Sequence, residues 1–305
     1  MTLSQVERVT ARTVQPVIQS TLTVLNGYQA AAITNTTWQA ILRLLWQVVE
    51  PATWKVAEVS RDYYDEEYKK AFPLSDQQDV YLATPRFEHF ARDMERFRSQ
   101  FMAEDTPPGV IQQAALRAAR TVENAGRRTI IRAVEDLDES DIVDSHDDVF
   151  ALDDEDRREA RKAYLSNPNK VKGWARVPTG RETCSWCLML CSRPASSGLG
   201  GYGGVLYTNF NTAGGQGQER EALAAYGRGE KVNMDAWHAG CDCKVVPIFN
   251  LQHWEGKELA DNLYKLWRDV TARESGQDAL NAFRRAINEG KHKPLFKKHR
   301  AAIAA

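Results

Sequence analysis

Cys184-x-x-Cys187 is followed, about fifty residues later, by His238-x-x-Cys241-x-Cys243. No other feature of the chain constrains its folding as much, because chelation at such spacing forces two distant loops together. A C-x-x-C turn places two thiolates on one side of a metal, and a second short knuckle supplies the rest of a tetrahedron. A mixed thiolate and imidazole set suits zinc best. Five candidates, Cys184, Cys187, His238, Cys241 and Cys243, compete for four places. Cys191, four residues past Cys187, falls outside the pattern. The separation of the halves and the H-x-x-C-x-C order do not match the common finger spacings. Two other readings stay open. The cysteines can be buried and reduced without metal, or one can be a nucleophile with His238 as base, or half of a redox pair. The redox reading lacks the expected βαβ setting, and the nucleophile reading lacks a local signature.

Forty basic and 41 acidic residues leave a formal charge of -1, so any nucleic-acid footprint must be local. An odd cysteine count of five favours metal or free thiols over a disulfide framework. No membrane association is expected. The most apolar run, residues 40–49, is about half the roughly 20 residues a bilayer requires, and it contains Arg43. No secretory signal is read at the N-terminus.

The first 160 residues hold only three glycines, Gly27, Gly109 and Gly126. Helices are expected over residues 30–49, stopped by Pro51, and over 56–72, stopped by Pro73. Two more are expected over 85–103 and 110–137. Phe87, Phe90, Met94, Phe97 and Phe101 recur at helical spacing, as a packing face does, rather than as a cofactor box. His89 and His146 stand alone and read as surface positions. Between Glu135 and Asp156, twelve residues are acidic and none is Lys or Arg. That block reads as a solvated linker, since it lacks the glycine of a calcium loop.

Beyond it, Lys172 to Pro178 reads as a strand. The stretch 198–217, with eight glycines, reads as a surface loop without a phosphate-binding motif. A β-branched strand closes the segment near Val245. From Arg284 onward, seven Lys or Arg face one Glu. Lys291, Lys293, Lys297, Lys298 and Arg300 are the candidates for contact with nucleic-acid phosphates. The fold class expected is α+β, in four parts: a helical N-terminal domain (1–134), an acidic linker (135–165), a small mixed cysteine–histidine module (166–250) and a helical basic tail (251–305).

The segments Gly173-Trp174-Ala175-Arg176-Val177-Pro178, Glu182-Thr183-Cys184-Ser185-Trp186-Cys187 and His238-x-x-Cys241-Asp242-Cys243 resemble the Mu F-like minor capsid, or head morphogenesis, proteins of tailed phages, especially those of actinobacteria. The family carries a C-x-x-C followed by an H-x-x-C-x-C knuckle before a final strand, often behind a helical arm. Ala239 stands where the family commonly has proline, and the glycine-rich loop is long. The resemblance implies a low-copy protein attached to the portal protein inside the procapsid, meeting the major capsid or scaffold protein and packaged DNA. It would lie in the virion interior, and in the host cytoplasm during assembly. Proteins of this layout are also labelled capsid maturation proteases. An assembly protein, a protease acting on head proteins and an internal DNA-binding protein are thus the three functions to separate.

Overall fold

The computed structural model describes residues 1–30, 32–75, 82–135, 171, 173–180, 183–192, 241–250, 252–274 and 276–304. The acidic block, the glycine-rich stretch, His146 and His238 lie outside them. The fold is α+β: mostly helical, with a two-stranded sheet. The chain divides into two compact units, one taking in residues 1–63 and 80–130 with 237–241, the other 64–79, 131–236 and 242–305.

Helix α1 spans Leu3–Asn26. Thr2 caps it reciprocally with Gln5: the Gln5 N–H donates to Thr2 Oγ1 at 3.3 Å, and the Thr2 N–H to Gln5 Oε1 at 2.7 Å. Helix α2, Asn35–Ala71, runs for 37 residues straight through Pro51. The two helices expected there, with a stop at Pro51, are therefore one. Proline removes one N–H and crowds the preceding turn. Here it lies on the exposed face, while Val49, Ala52, Thr53 and Val56 around it are buried. Burial on both sides of the proline outweighs a penalty that falls toward solvent.

The segment expected as one helix over 85–103 is broken. Helix α3 (Phe87–Met94) gives way to a 3₁₀ turn (Glu95–Phe97) and the single turn α4 (Arg98–Phe101). The tightened turn keeps Phe90, Met94, Phe97 and Phe101 all buried. They pack in one cluster with Trp38, Ile41, Leu42 and Leu45 of α2, and with Ala114, Ala118 and Val122 of α5 (Pro108–Glu135). Trp38 stacks on Phe101 with ring centroids 5.5 Å apart and donates its indole N–H to Glu95 at 3.3 Å. The aromatic stripe is thus a packing face.

In the second unit, Tyr64, Tyr68 and Phe72 surround Phe249 with centroids 5.9, 6.0 and 5.7 Å away. Strands β1 (Gly173–Pro178) and β2 (Cys243–Ile248) pair antiparallel, with Gly173 opposite Ile248 and Pro178 opposite Cys243. Between them in sequence lies α6, Ser185–Cys191. Every residue of β2 is buried, as in a strand covered on both faces. The C-terminal segment forms α7 (Lys257–Thr271), α8 (Gly276–Asn288) and α9 (Lys293–Ala304). The turn from α8 to α9 uses Gly290 at φ +80°, with the Lys291 N–H returning to the Ala286 carbonyl at 3.1 Å. Only glycine takes that left-handed geometry without strain.

Candidate metal centre

Helix α6 begins at Cys184, whose backbone is extended and whose Sγ accepts the Cys187 N–H at 3.4 Å. The C-x-x-C turn is therefore a helix start, with a sulfur in the capping place that serine or aspartate usually takes. That geometry carries Cys187 inward, to 1% exposure, and leaves Cys184 exposed. The second half of the motif enters β2. Cys241 is 1% exposed, and Cys243, the first residue of the strand, is fully buried. The sulfurs of Cys187, Cys241 and Cys243 lie within 4.8 Å of one another. All five cysteines are free thiols.

The surroundings position this cluster. Thr179 Oγ1 donates to the Asp242 carbonyl, and Thr183 Oγ1 to its carboxylate, both at 2.8 Å. Arg127 of α5, itself buried, donates to the Cys241 carbonyl at 2.6 Å and to Asn124 at 3.0 Å. His299 of α9, also buried, shares a hydrogen bond of 3.1 Å between its Nε2 and the Pro178 carbonyl, opposite Cys243 in the sheet. Hydrogen bonds of this kind fix where ligand-bearing backbone lies.

Of the candidate ligands read from sequence, Cys187, Cys241 and Cys243 come together. Cys184 stands outside their triplet, at the cap, and His238 lies outside the described residues. Sequence reasoning missed Asp242, Thr183, Arg127 and His299, which carry no motif of their own. It also passed over Cys191, although the four-residue step from Cys187 places both on one helix face.

The basic candidates are on or beside α9. Lys291 pairs with Glu289 at 3.0 Å, and Lys298 pairs with Glu258 of α7. Lys293 and Lys297 are exposed. Arg300 falls within α9, with its side chain outside the described positions.

Two mycobacteriophage proteins resemble the chain over most of its length. It is 31% identical to the Gene 15 protein of Mycobacterium phage D29 over 260 residues, covering 85% of this chain and 84% of the relative. It is 30% identical to the Gene 15 protein of Mycobacterium phage L5 over 276 residues, covering 83% and 84%. The VG15 protein family matches residues 150–270. The chain belongs to this phage family. The segment matched by VG15 contains β1, α6 and β2, and with them all five cysteines and His238. No solved structure matches the chain. Among the described residues, no helix is long and apolar enough to cross a membrane.

Chemically, three close, shielded thiols form a donor set that can hold a metal ion. Sulfur donors suit zinc, which takes four ligands in structural sites.

Proposed function

We propose that this VG15-family protein is a minor capsid protein of the Mu F-like type, acting in head morphogenesis. In this reading it is present in few copies, bound to the portal protein inside the procapsid, and retained in the virion interior after assembly in the host cytoplasm. The observation that carries the reading is the buried cysteine cluster at the start of β2. Its Mu F-like spacing lies in a chain belonging to a phage family, behind a helical unit whose aromatic stripe is spent on packing. The metal assigned to the cluster is zinc, with a structural role: binding free energy becomes folding free energy when a site exists only in the folded chain.

The major capsid or scaffold protein is the second partner proposed. Packaged DNA is the third, met by the exposed Lys293 and Lys297 of α9 and by Arg300. That contact would weaken with salt, because releasing counterions into a more concentrated solution gains less entropy.

The same arrangement argues against cysteine protease chemistry at the cluster. A nucleophile must reach its substrate and be activated by a neighbouring base. Cys187, Cys241 and Cys243 are shielded, and a metal would occupy their lone pairs.

The test uses particles assembled from the neighbouring head proteins with this protein present, absent, or carrying Cys187→Ala. Intact mass spectrometry reads the major capsid subunit, and immunoblotting reads this protein with the portal. An unchanged subunit mass, with the protein retained alongside the portal, supports the assembly role. A subunit shortened only when the intact protein is present overturns it in favour of a protease.

A further inference from the structure

Cys191 lies outside the Mu F-like motif, yet its Sγ is 3.9 Å from that of Cys243, and both side chains are buried. In a tetrahedral site with metal–sulfur bonds of about 2.3 Å, neighbouring sulfurs stand about 3.8 Å apart. The Cys191–Cys243 separation therefore has the length of one tetrahedral edge. Cys243 is thus close to three other sulfurs, Cys187 and Cys241 within the triplet and Cys191 beside it, although Cys191, like Cys184, stands outside the group whose sulfurs all lie within 4.8 Å of one another.

The helix supplies the reason. Cys187 and Cys191 are one turn apart on α6, so both face the start of β2. Cys184 is placed differently. It precedes the helix, is exposed, and has its sulfur engaged by the Cys187 N–H. Four cysteines are shielded from solvent and one is not.

Resting on the metal reading above, we infer that the centre is an all-sulfur site made by Cys187, Cys191, Cys241 and Cys243, with Cys191 as its fourth ligand. The ligand pattern is then C-x-x-x-C on a helix and C-x-C entering a strand. Cys184 caps the helix, and His238 is not a ligand. Zinc binding draws the four sulfurs together and releases their protons to solvent.

The experiment reconstitutes the full-length protein with Co²⁺ in place of Zn²⁺ and compares single variants. Absorption separates four-sulfur from three-sulfur, one-nitrogen coordination, and zinc content is measured in parallel. Wild type should give the four-sulfur spectrum with one metal per chain. C184S and H238A should keep that spectrum. C191S should lose most of the bound metal, as C187S, C241S and C243S do. C191H guards against a variant that merely fails to fold: it should retain metal but shift the spectrum to three sulfurs and one nitrogen. A wild-type spectrum with nitrogen coordination, lost in H238A, overturns the assignment, as does a four-sulfur spectrum unchanged in C191S or lost in C184S. A wild-type protein that binds neither metal overturns both the assignment and the metal reading beneath it. The preceding outcomes overturn the ligand set alone.

Discussion

Thr183 donates its hydroxyl to the Asp242 carboxylate at 2.8 Å, joining the loop before α6 to the residue between Cys241 and Cys243. Thr179 holds the Asp242 carbonyl from the end of β1. Gly180 completes the fit: a Cβ there would stand 2.2 Å from Asp242 Oδ2 and 2.7 Å from its Cβ. Both halves of the cysteine motif are thus tied to Asp242, the residue between Cys241 and Cys243.

Thr183→Val should cost about 1–3 kcal/mol, because a part-buried hydrogen bond to a carboxylate is lost. Gly180→Ala should cost at least as much, since the main chain must retreat from Asp242. Denaturant midpoints read both changes. If Gly180→Ala leaves the midpoint where it is in wild type, the proposed close approach is wrong.

Gly126 gives a prediction opposite in sign to helix propensity. Alanine in a helix interior is better than glycine by about 1 kcal/mol. Yet a Cβ at this position of α5 would meet Ser60 Oγ at 2.4 Å and Val56 Cγ1 at 2.8 Å on α2. Ser60 cannot swing freely, because its hydroxyl donates to the Val56 carbonyl at 2.8 Å. Gly126→Ala should therefore destabilise by about 1–3 kcal/mol through overpacking. Ser60→Ala in the same chain should recover part of the loss. Thermal melts of the single and double variants check it, and a stabilised Gly126→Ala would refute the packing argument.

The period of the apolar residues made the helical character of the first 135 residues legible, because Phe90, Met94, Phe97 and Phe101 recur at the three-to-four spacing of one buried face. The ends were less legible. Pro51 reads as a stop in isolation, and only the burial of Val49, Thr53 and Val56 carries α2 past it. The cysteine spacing pointed to a cluster but not to which sulfurs meet. A C-x-x-C pair can be a hairpin turn or, as here, a helix start, and the two send the second sulfur and its successor Cys191 in different directions. Asp242 and Arg127 act through hydrogen bonds to main chain and to small polar residues, which have no signature in sequence.

Acid should weaken the fold through two histidines. Burial lowers the pKa of His292, with Lys293 adding to the effect. Burial and the charges of Arg128, Arg92 and Arg86 lower that of His89, against a smaller opposing influence from Glu88. Each therefore binds a proton more readily in the unfolded chain. Their contribution is complete above the ordinary histidine value of about 6.5 and is lost as pH falls through it toward the native-state values. Stability measured at pH 7.5 and 5.5 should fall less in a His89→Gln, His292→Gln double variant than in wild type, since the carboxylates titrate alike in both. An equal or larger fall in the variant would contradict the shifts.

Metal removal should be read at the thiols. Cys184 is exposed and the other four cysteines are buried, so a thiol reagent should find one fast site in the metal-loaded protein. In the metal reading, chelation removes an ion that ties α6 to β2, and the stabilisation lost scales with the logarithm of metal concentration over its dissociation constant. That amounts to about 4 kcal/mol at a thousandfold excess. The four buried thiols should then become reactive, and the melting temperature should fall. Helices α1 to α5 contain no cysteine, so most of the far-ultraviolet helical signal should remain. Adding Zn²⁺ should restore both protection and melting temperature. Four thiols equally slow before and after chelation would mean that packing alone protects them, and the centre would then be a cluster of reduced cysteines in an apolar core.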